Sequence, residues 1–316
     1  WLPSLAQDVL AKQSHETVIA ARGPFSTETQ RALGLDIMKL LRFDFDGGRV
    51  DVSTHPFCGG VPEDVRITTR YRDDDFVQAM MGIVHETGHA RYEQGLPREW
   101  VHLPLGQARS MGVHESQSLS FEMQLGRSRP FLELIAPLVT KHFGEQPAFS
   151  PENLARIYTR VKRGFIRVDA DEVTYPMHVI LRFELERALI ERQIEPDDVP
   201  AFWAEKMNAY LGLDTTNNYA DGCLQDIHWT DGSFGYFPSY TLGALYAAQY
   251  FATIRAKTPD LDARIAKGDL APIFDWFHAN IWSQASRWET AELIERATGA
   301  PLSTSHFERH LRARYL

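Results

Sequence analysis

Cysteine is nearly absent: the 316 residues contain two, Cys58 and Cys223. They lie far apart and in no CxxC arrangement, so neither a disulfide framework nor a cysteine-type zinc site is expected. Such usage fits a reducing compartment, and a cytoplasmic location is the expectation. Also missing is any apolar run long enough to cross a bilayer, and no charged-then-apolar leader opens the chain. The first residue is Trp1 rather than Met, which reads as a processed or trimmed chain, so the missing leader does not by itself decide location. Positive charge is in deficit, with 33 Lys and Arg against 42 Asp and Glu for a net charge of −9, and no basic cluster stands out. Neutralising phosphates needs clustered cations, so nucleic acid is excluded as a partner. No Gly-rich phosphate loop follows a strand, and no GxSxG nucleophile elbow occurs. Pro and Gly are dispersed rather than gathered into a linker, and no internal repeat appears, so a single domain over 1–316 is expected.

What is present is helical periodicity. Apolar residues fall on one face at Leu33, Ile37, Leu40 and Leu41, and again at Leu132, Ile135, Leu138 and Val139, which predicts a mainly α fold. Further helices are expected at about 113–125, 130–143, 151–162, 175–192, 197–211, 240–257 and 303–315. The interruption is Phe43 to Val52, where apolar and polar residues alternate on both sides of Asp46-Gly47-Gly48. This predicts a small hairpin, with Val65 to Tyr71 as a third strand, near residues 43–71. From Asp73 the helical pattern returns. The acidic run Asp73-Asp74-Asp75 stands at its N-terminal end, where carboxylates meet the helix dipole, and Phe76, Met80, Ile83 and Val84 form its buried stripe.

That helix carries His85-Glu86-Thr87-Gly88-His89, an HExxH segment. Two imidazoles four residues apart stand on one helical face, which lets both grip one ion. A catalytic zinc takes three protein donors and leaves a position for water, so one more ligand is needed. A second helix, starting near Gly112, offers Glu115 within His114-Glu115-Ser116-Gln117-Ser118; His114 and Glu122 are the alternatives. With His85, His89 and Glu115 as donors, amide hydrolysis is the natural chemistry, and Glu86 is placed to take the proton from water. The competing reading is a pair of structural histidines beside a solvated glutamate.

Beyond this motif the chain resembles the M32 metallocarboxypeptidases. The likeness is carried by His55-Pro56-Phe57, by Asp64-Val65-Arg66-Ile67-Thr68-Thr69-Arg70, by HETGH itself and by His114 to Ser118. It continues through Ile166-Arg167, Ala170-Asp171-Glu172-Val173-Thr174-Tyr175 and Gln225-Asp226-Ile227-His228-Trp229. The interval from His85 to Glu115 matches the family's placement of its third ligand. Family members carry a longer helical region before the hairpin, so the chain reads as the C-terminal, metal-bearing part of a longer family chain.

The resemblance implies a mostly helical fold, a homodimer, and removal of single residues from peptides with a free C-terminus. It implies a divalent metal, usually Zn2+, with Co2+ or another divalent ion able to replace it. No membrane partner is expected. Such an enzyme must hold a free carboxylate, and arginine offers a planar two-pronged donor for it. Arg167 is the first choice on its matching family position; Arg66 and Arg70 follow, with strand-edge charge or pairing to Asp64 as the alternative. His228, which resembles the family's active-site histidine, and Tyr240 are candidate donors to the tetrahedral oxyanion. Tyr240 follows the aromatic run Gly232 to Pro238, which reads as a lid or as plain packing. Asp171 and Glu172 are candidates for orienting a ligating imidazole. No role for His55 follows from the residues. Rival functions are a helical zinc endopeptidase or dipeptidase, and a metal-binding protein that holds peptides without turnover.

Overall fold

The computed structural model of the chain describes residues 1–54 and 56–316; the His55 of the sequence motif lies outside the described residues. Among the described residues are thirteen α-helices and one three-stranded sheet, a mainly α fold as expected. The chain divides into two compact units. One comprises Trp1–Thr17, Thr159–Leu242 and Glu308–Leu316; the other comprises Val18–Tyr158 and Gly243–Phe307.

In the first unit, the helix Tyr175–Ile190 packs on Val199–Leu211. Leu181 and Leu185 are buried on the former, and Trp203, Met207 and Leu211 on the latter. Helix Leu2–Gln13 buries Leu5 and Val9. Gln13 ties it down, donating to the Thr159 carbonyl at 2.9 Å and accepting from the Val161 N–H at 2.9 Å.

The second unit is built around the helix Val77–Gln94, which carries HETGH. The expected stripe of Phe76, Met80, Ile83 and Val84 is buried. At its start the Asp75 carboxylate accepts from the Val77 N–H at 2.8 Å, satisfying one of the amides a helix leaves unpaired there. Against the helix lies the sheet of β1 (Gly48–Val52), β2 (Cys58–Val61) and β3 (Asp64–Thr69), in the order β1-β3-β2. Val50, Val65 and Ile67 of the sheet share a core with Met38, Phe43, Ile83 and Ala90.

The hairpin expected around Asp46-Gly47-Gly48 is corrected. β1 pairs in parallel with β3, Val50 opposite Ile67, and the hairpin is instead β2 with β3, Gly60 opposite Val65. Residues before the turn form no strand because other groups take their peptide hydrogen bonds. Gln94, at the end of the HETGH helix, accepts from the Asp44 N–H at 3.0 Å and donates to the Asp44 carbonyl at 2.8 Å. The Asp44 carboxylate in turn accepts from the Asp46 N–H at 3.0 Å.

The helix Met111–Leu119 lies beside the HETGH helix, and its N-cap Ser110 accepts from the Val113 N–H at 3.2 Å. Gly88 makes their close approach possible: a Cβ there would sit 2.6 Å from the Gln117 carbonyl oxygen and 2.7 Å from the Ser118 Cα. From Ser120 to Gly126 the same rod continues as a π-helix, a wider turn found mostly as short insertions within α-helices.

Candidate metal centre

Donor atoms of His85, His89 and Glu115 converge, all lying within 4.8 Å of one another, and this is the cluster of metal-ligating type among the described residues. The two imidazole rings are 5.0 Å apart between centroids, as four-residue spacing on one helix requires. Glu115 comes from the neighbouring helix, its Oε2 3.4 Å from His89 Nε2. It is pressed from behind by Gly243 of the helix Pro238–Lys257, where a Cβ would fall 2.8 Å from Glu115 Cβ and Cγ.

Each histidine is held through its other ring nitrogen. His85 Nδ1 lies 2.8 Å from Glu122 Oε2, and the second oxygen of Glu122 accepts from Arg127 Nη2 at 2.6 Å. His89 Nδ1 lies 2.7 Å from His114 Nδ1, and His114 Nε2 lies 2.8 Å from Glu93 Oε1. Such partners fix ring orientation and tautomer in metal sites. The two residues weighed in the sequence as rivals to Glu115 therefore stand behind the histidines. Glu93 was missed; the signal that could have found it is its place four residues after His89, on the face shared with His85. Asp171 and Glu172, weighed for such a part, have partners elsewhere. Asp171 accepts from the Val173 and Thr174 N–H groups, each at 3.0 Å, and Glu172 lies 2.6 Å from His310 Nε2 and accepts from Tyr315 Oη at 2.9 Å.

The electrostatics suit a cation. Burial alone would lower the His85 pKa, but the Glu122 hydrogen bond and the charges of Glu115, Glu122 and Glu86 raise it to about 10. His89, by contrast, falls to about 4, mainly through burial. Glu86 is only 6 % exposed, and burial, reinforced by Glu115 and Glu122, pushes its pKa up to about 7. Glu115 stays below the usual carboxylate range: burial acts against its charge, but the His89 hydrogen bond and His85 outweigh it. Carboxylates that stabilise positive charge on His85 would equally stabilise a divalent ion, and two imidazoles with one carboxylate form a donor set suited to zinc.

A second cluster forms within the first unit around Arg167, His228 and Tyr240. Asp226 accepts from Arg167 Nε at 2.9 Å through one oxygen and from Arg182 Nε at 2.6 Å through the other. Arg167 Nη1 donates to Tyr175 Oη at 2.8 Å, and its guanidinium carbon stands 4.9 Å from the centre of the Tyr240 ring. Tyr240 Oη lies 3.0 Å from His228 Nε2, and His228 stacks on Phe237 at 4.3 Å. Burial and the Arg167 charge lower the His228 pKa, favouring its neutral form. The run after His228 is pinned by Glu186, which accepts from Trp229 Nε1 at 2.9 Å and from the Gly235 N–H at 3.1 Å. Arg66 is exposed on the otherwise largely buried β3 in a bidentate pair with Asp64, at 2.6 Å for the nearer contact, and Arg70 is exposed just beyond that strand.

Residues 2–315 match the family described as carboxypeptidase Taq (M32) metallopeptidase. Thermostable carboxypeptidase 1 of Thermus thermophilus is 41 % identical over 315 residues, covering 99 % of this chain and 62 % of the relative. Metallocarboxypeptidase 1 of Trypanosoma cruzi superposes with a TM-score of 0.98 at 50 % identity, over 100 % of this chain and 66 % of that one. The M32 carboxypeptidase of Deinococcus radiodurans superposes with a TM-score of 0.95 at 39 % identity, over 99 % and 63 % respectively. The chain thus spans somewhat less than two thirds of the length of these relatives.

Proposed function

The chain belongs to the carboxypeptidase Taq (M32) metallopeptidase family, and on that premise we propose that it removes single amino acids from the C-termini of peptides with the aid of a bound zinc ion. The observation that carries the reading is the convergence of His85, His89 and Glu115, with both imidazoles held from behind. These three residues would hold the ion. When bound, zinc would polarise the scissile carbonyl and lower the pKa of a water molecule, and Co2+ or another divalent ion of similar preference could substitute.

The chain's own residues supply the remaining chemistry. Glu86, adjacent to His85 and buried, takes the proton from the attacking water and passes it to the leaving amine nitrogen. His228 and Tyr240 are joined at 3.0 Å and share one proton, so the pair presents one remaining N–H or O–H as the candidate donor to the oxygen that gains charge. Arg167 holds the terminal carboxylate. Nε and one proton of Nη1 are engaged by Asp226 and Tyr175, and Nη2 lies 2.8 Å from Asp226; a guanidinium with five N–H groups retains one on each terminal nitrogen. Arg66, already paired to Asp64, and Arg70 are second candidates for that task.

Peptide substrates with a free C-terminus, a homodimer and a cytoplasmic location complete the proposal, as the family resemblance implies. Among the described residues no helix is long and apolar enough to cross a membrane. Mass spectrometry of an unblocked peptide incubated with the chain tests the reading. A ladder of one-residue losses from the C-terminal end, abolished by a chelator, is expected. Internal cleavage of a peptide blocked at both ends would assign endopeptidase action instead, and bound metal without product would assign a scaffold.

A further inference from the structure

Resting on the metal-centre reading, we propose that Glu93 and His114 set the tautomer of His89 and thereby present its Nε2 lone pair to the metal. The HETGH helix carries His85, His89 and Glu93 at successive intervals of four residues. Glu93 is outside the donor cluster and is reached through the ring of His114.

The proton order along this line follows from what each group is able to do. A neutral imidazole carries one N–H and one lone pair, and an ionised carboxylate only accepts. With Glu93 Oε1 2.8 Å from His114 Nε2, the proton of His114 sits on Nε2, leaving Nδ1 as an acceptor. His114 Nδ1 is 2.7 Å from His89 Nδ1, a separation that calls for one proton between them, and His89 supplies it. His89 Nε2 is then the lone pair, on the side where Glu115 Oε2 stands 3.4 Å away. The reverse order would set the His114 lone pair against a carboxylate oxygen and point an N–H of His89 at the cation. His85 reaches the same state in one step, since Glu122 accepts directly at its Nδ1. Side-chain exposures of 12 % for His89, 15 % for His114 and 24 % for Glu93 leave little room for water to reshuffle the line.

Glutamine discriminates this from a packing role. The amide introduced by Glu93→Gln would match the shape of the carboxylate but could donate to His114 Nε2 and so reverse every proton along the line. Zinc affinity is measured by chelator competition on the wild-type chain and on Glu93→Gln, Glu93→Ala, His114→Phe and His89→Ala. Each of the first three is expected to raise the zinc dissociation constant by about 10- to 100-fold, with Glu93→Gln no milder than Glu93→Ala. Nitrogen-15 NMR of the zinc-loaded wild type should place the His89 proton on Nδ1 and the His114 proton on Nε2. Glu93→Gln binding zinc within about twofold of wild type, or a His114 proton on Nδ1, overturns the proposal. If those results appear while His89→Ala loses zinc, only the line through Glu93 falls; if His89→Ala binds as wild type does, the metal-centre reading falls with it.

Discussion

Two glycines on the HETGH helix should answer the same substitution with opposite signs. Alanine favours a helix interior over glycine by about 1 kcal/mol, so propensity alone predicts a gain at both. At Gly82 an added Cβ would meet only Thr69 Oγ1, at 4.0 Å, and the gain should be realised. At Gly88 the Cβ would fall 2.6 Å from the Gln117 carbonyl oxygen and 2.7 Å from the Ser118 Cα. Both are backbone atoms and cannot rotate away, so reaching an ordinary 3.4 Å contact requires the helices to part by about 0.8 Å. Overpacking of this kind costs about 1–3 kcal/mol, and a clash against backbone belongs at the upper end. After the propensity gain, Gly88→Ala should lose about 1–2 kcal/mol and Gly82→Ala should gain up to about 1 kcal/mol. The parting also has a chemical reading. His89 and Glu115 stand on the two helices, 3.4 Å apart, and ligand distances near 2 Å leave little slack, so Gly88→Ala should weaken zinc binding as well. Thermal unfolding with chelator present, paired with zinc titration, measures both effects. Equal stabilisation by the two alanines, with unchanged zinc affinity, would refute the close-approach reasoning.

Glu86→Gln should keep zinc but lose turnover by about 10²–10⁴-fold; full activity in a peptide-digestion assay removes Glu86 as the base. Arg167→Ala should depress kcat/KM for free-carboxylate peptides far more than for amidated ones, and equal losses on both would end that assignment. Asp226 bridges two buried guanidiniums: burial acts to raise its pKa, but Arg182 and Arg167 outweigh it and hold it below the usual carboxylate range. A depressed folded pKa means that its stabilisation is present above the unfolded value and is lost as pH falls through the folded one. Asp226→Asn should therefore cost about 3–5 kcal/mol near neutral pH and flatten the acid limb of a denaturation-against-pH curve; an unchanged acid limb counts against the bridge.

The helices were legible because their signal is local. Stripes such as Phe76, Met80, Ile83 and Val84 recur within a few residues, and the face they mark is buried. Boundaries followed closely: 197–211 was expected and Val199–Leu211 is observed, and 130–143 became Arg129–Phe143. The sheet was only half legible for the converse reason. Alternation and an Asp-Gly turn report on neighbours in the chain, whereas the partner of β1 is a parallel strand seventeen residues on. The competitor that displaced the expected strand, Gln94, lies fifty residues away and leaves no periodic trace at Asp44.

The same distinction divides the candidate sites. HExxH is a four-residue relation on one rod and is readable; the meeting of Glu115 with His89 depends on two rods touching, and the only local hint is the glycine between Glu86 and His89 that permits it. Glu122 follows Glu115 by seven residues, a spacing that on an ordinary helix would merely place both on one face. Its approach to His85 occurs on the π-helical stretch, whose register no composition signal announces. Arg167 is harder still, because its engagement by an aspartate fifty-nine residues later is invisible locally. That engagement also changes what the arginine is able to do. A guanidinium already anchored through Nε and Nη1 has lost most of its freedom before any substrate arrives, so less ordering remains to oppose carboxylate binding than for a solvent-exposed arginine such as Arg70.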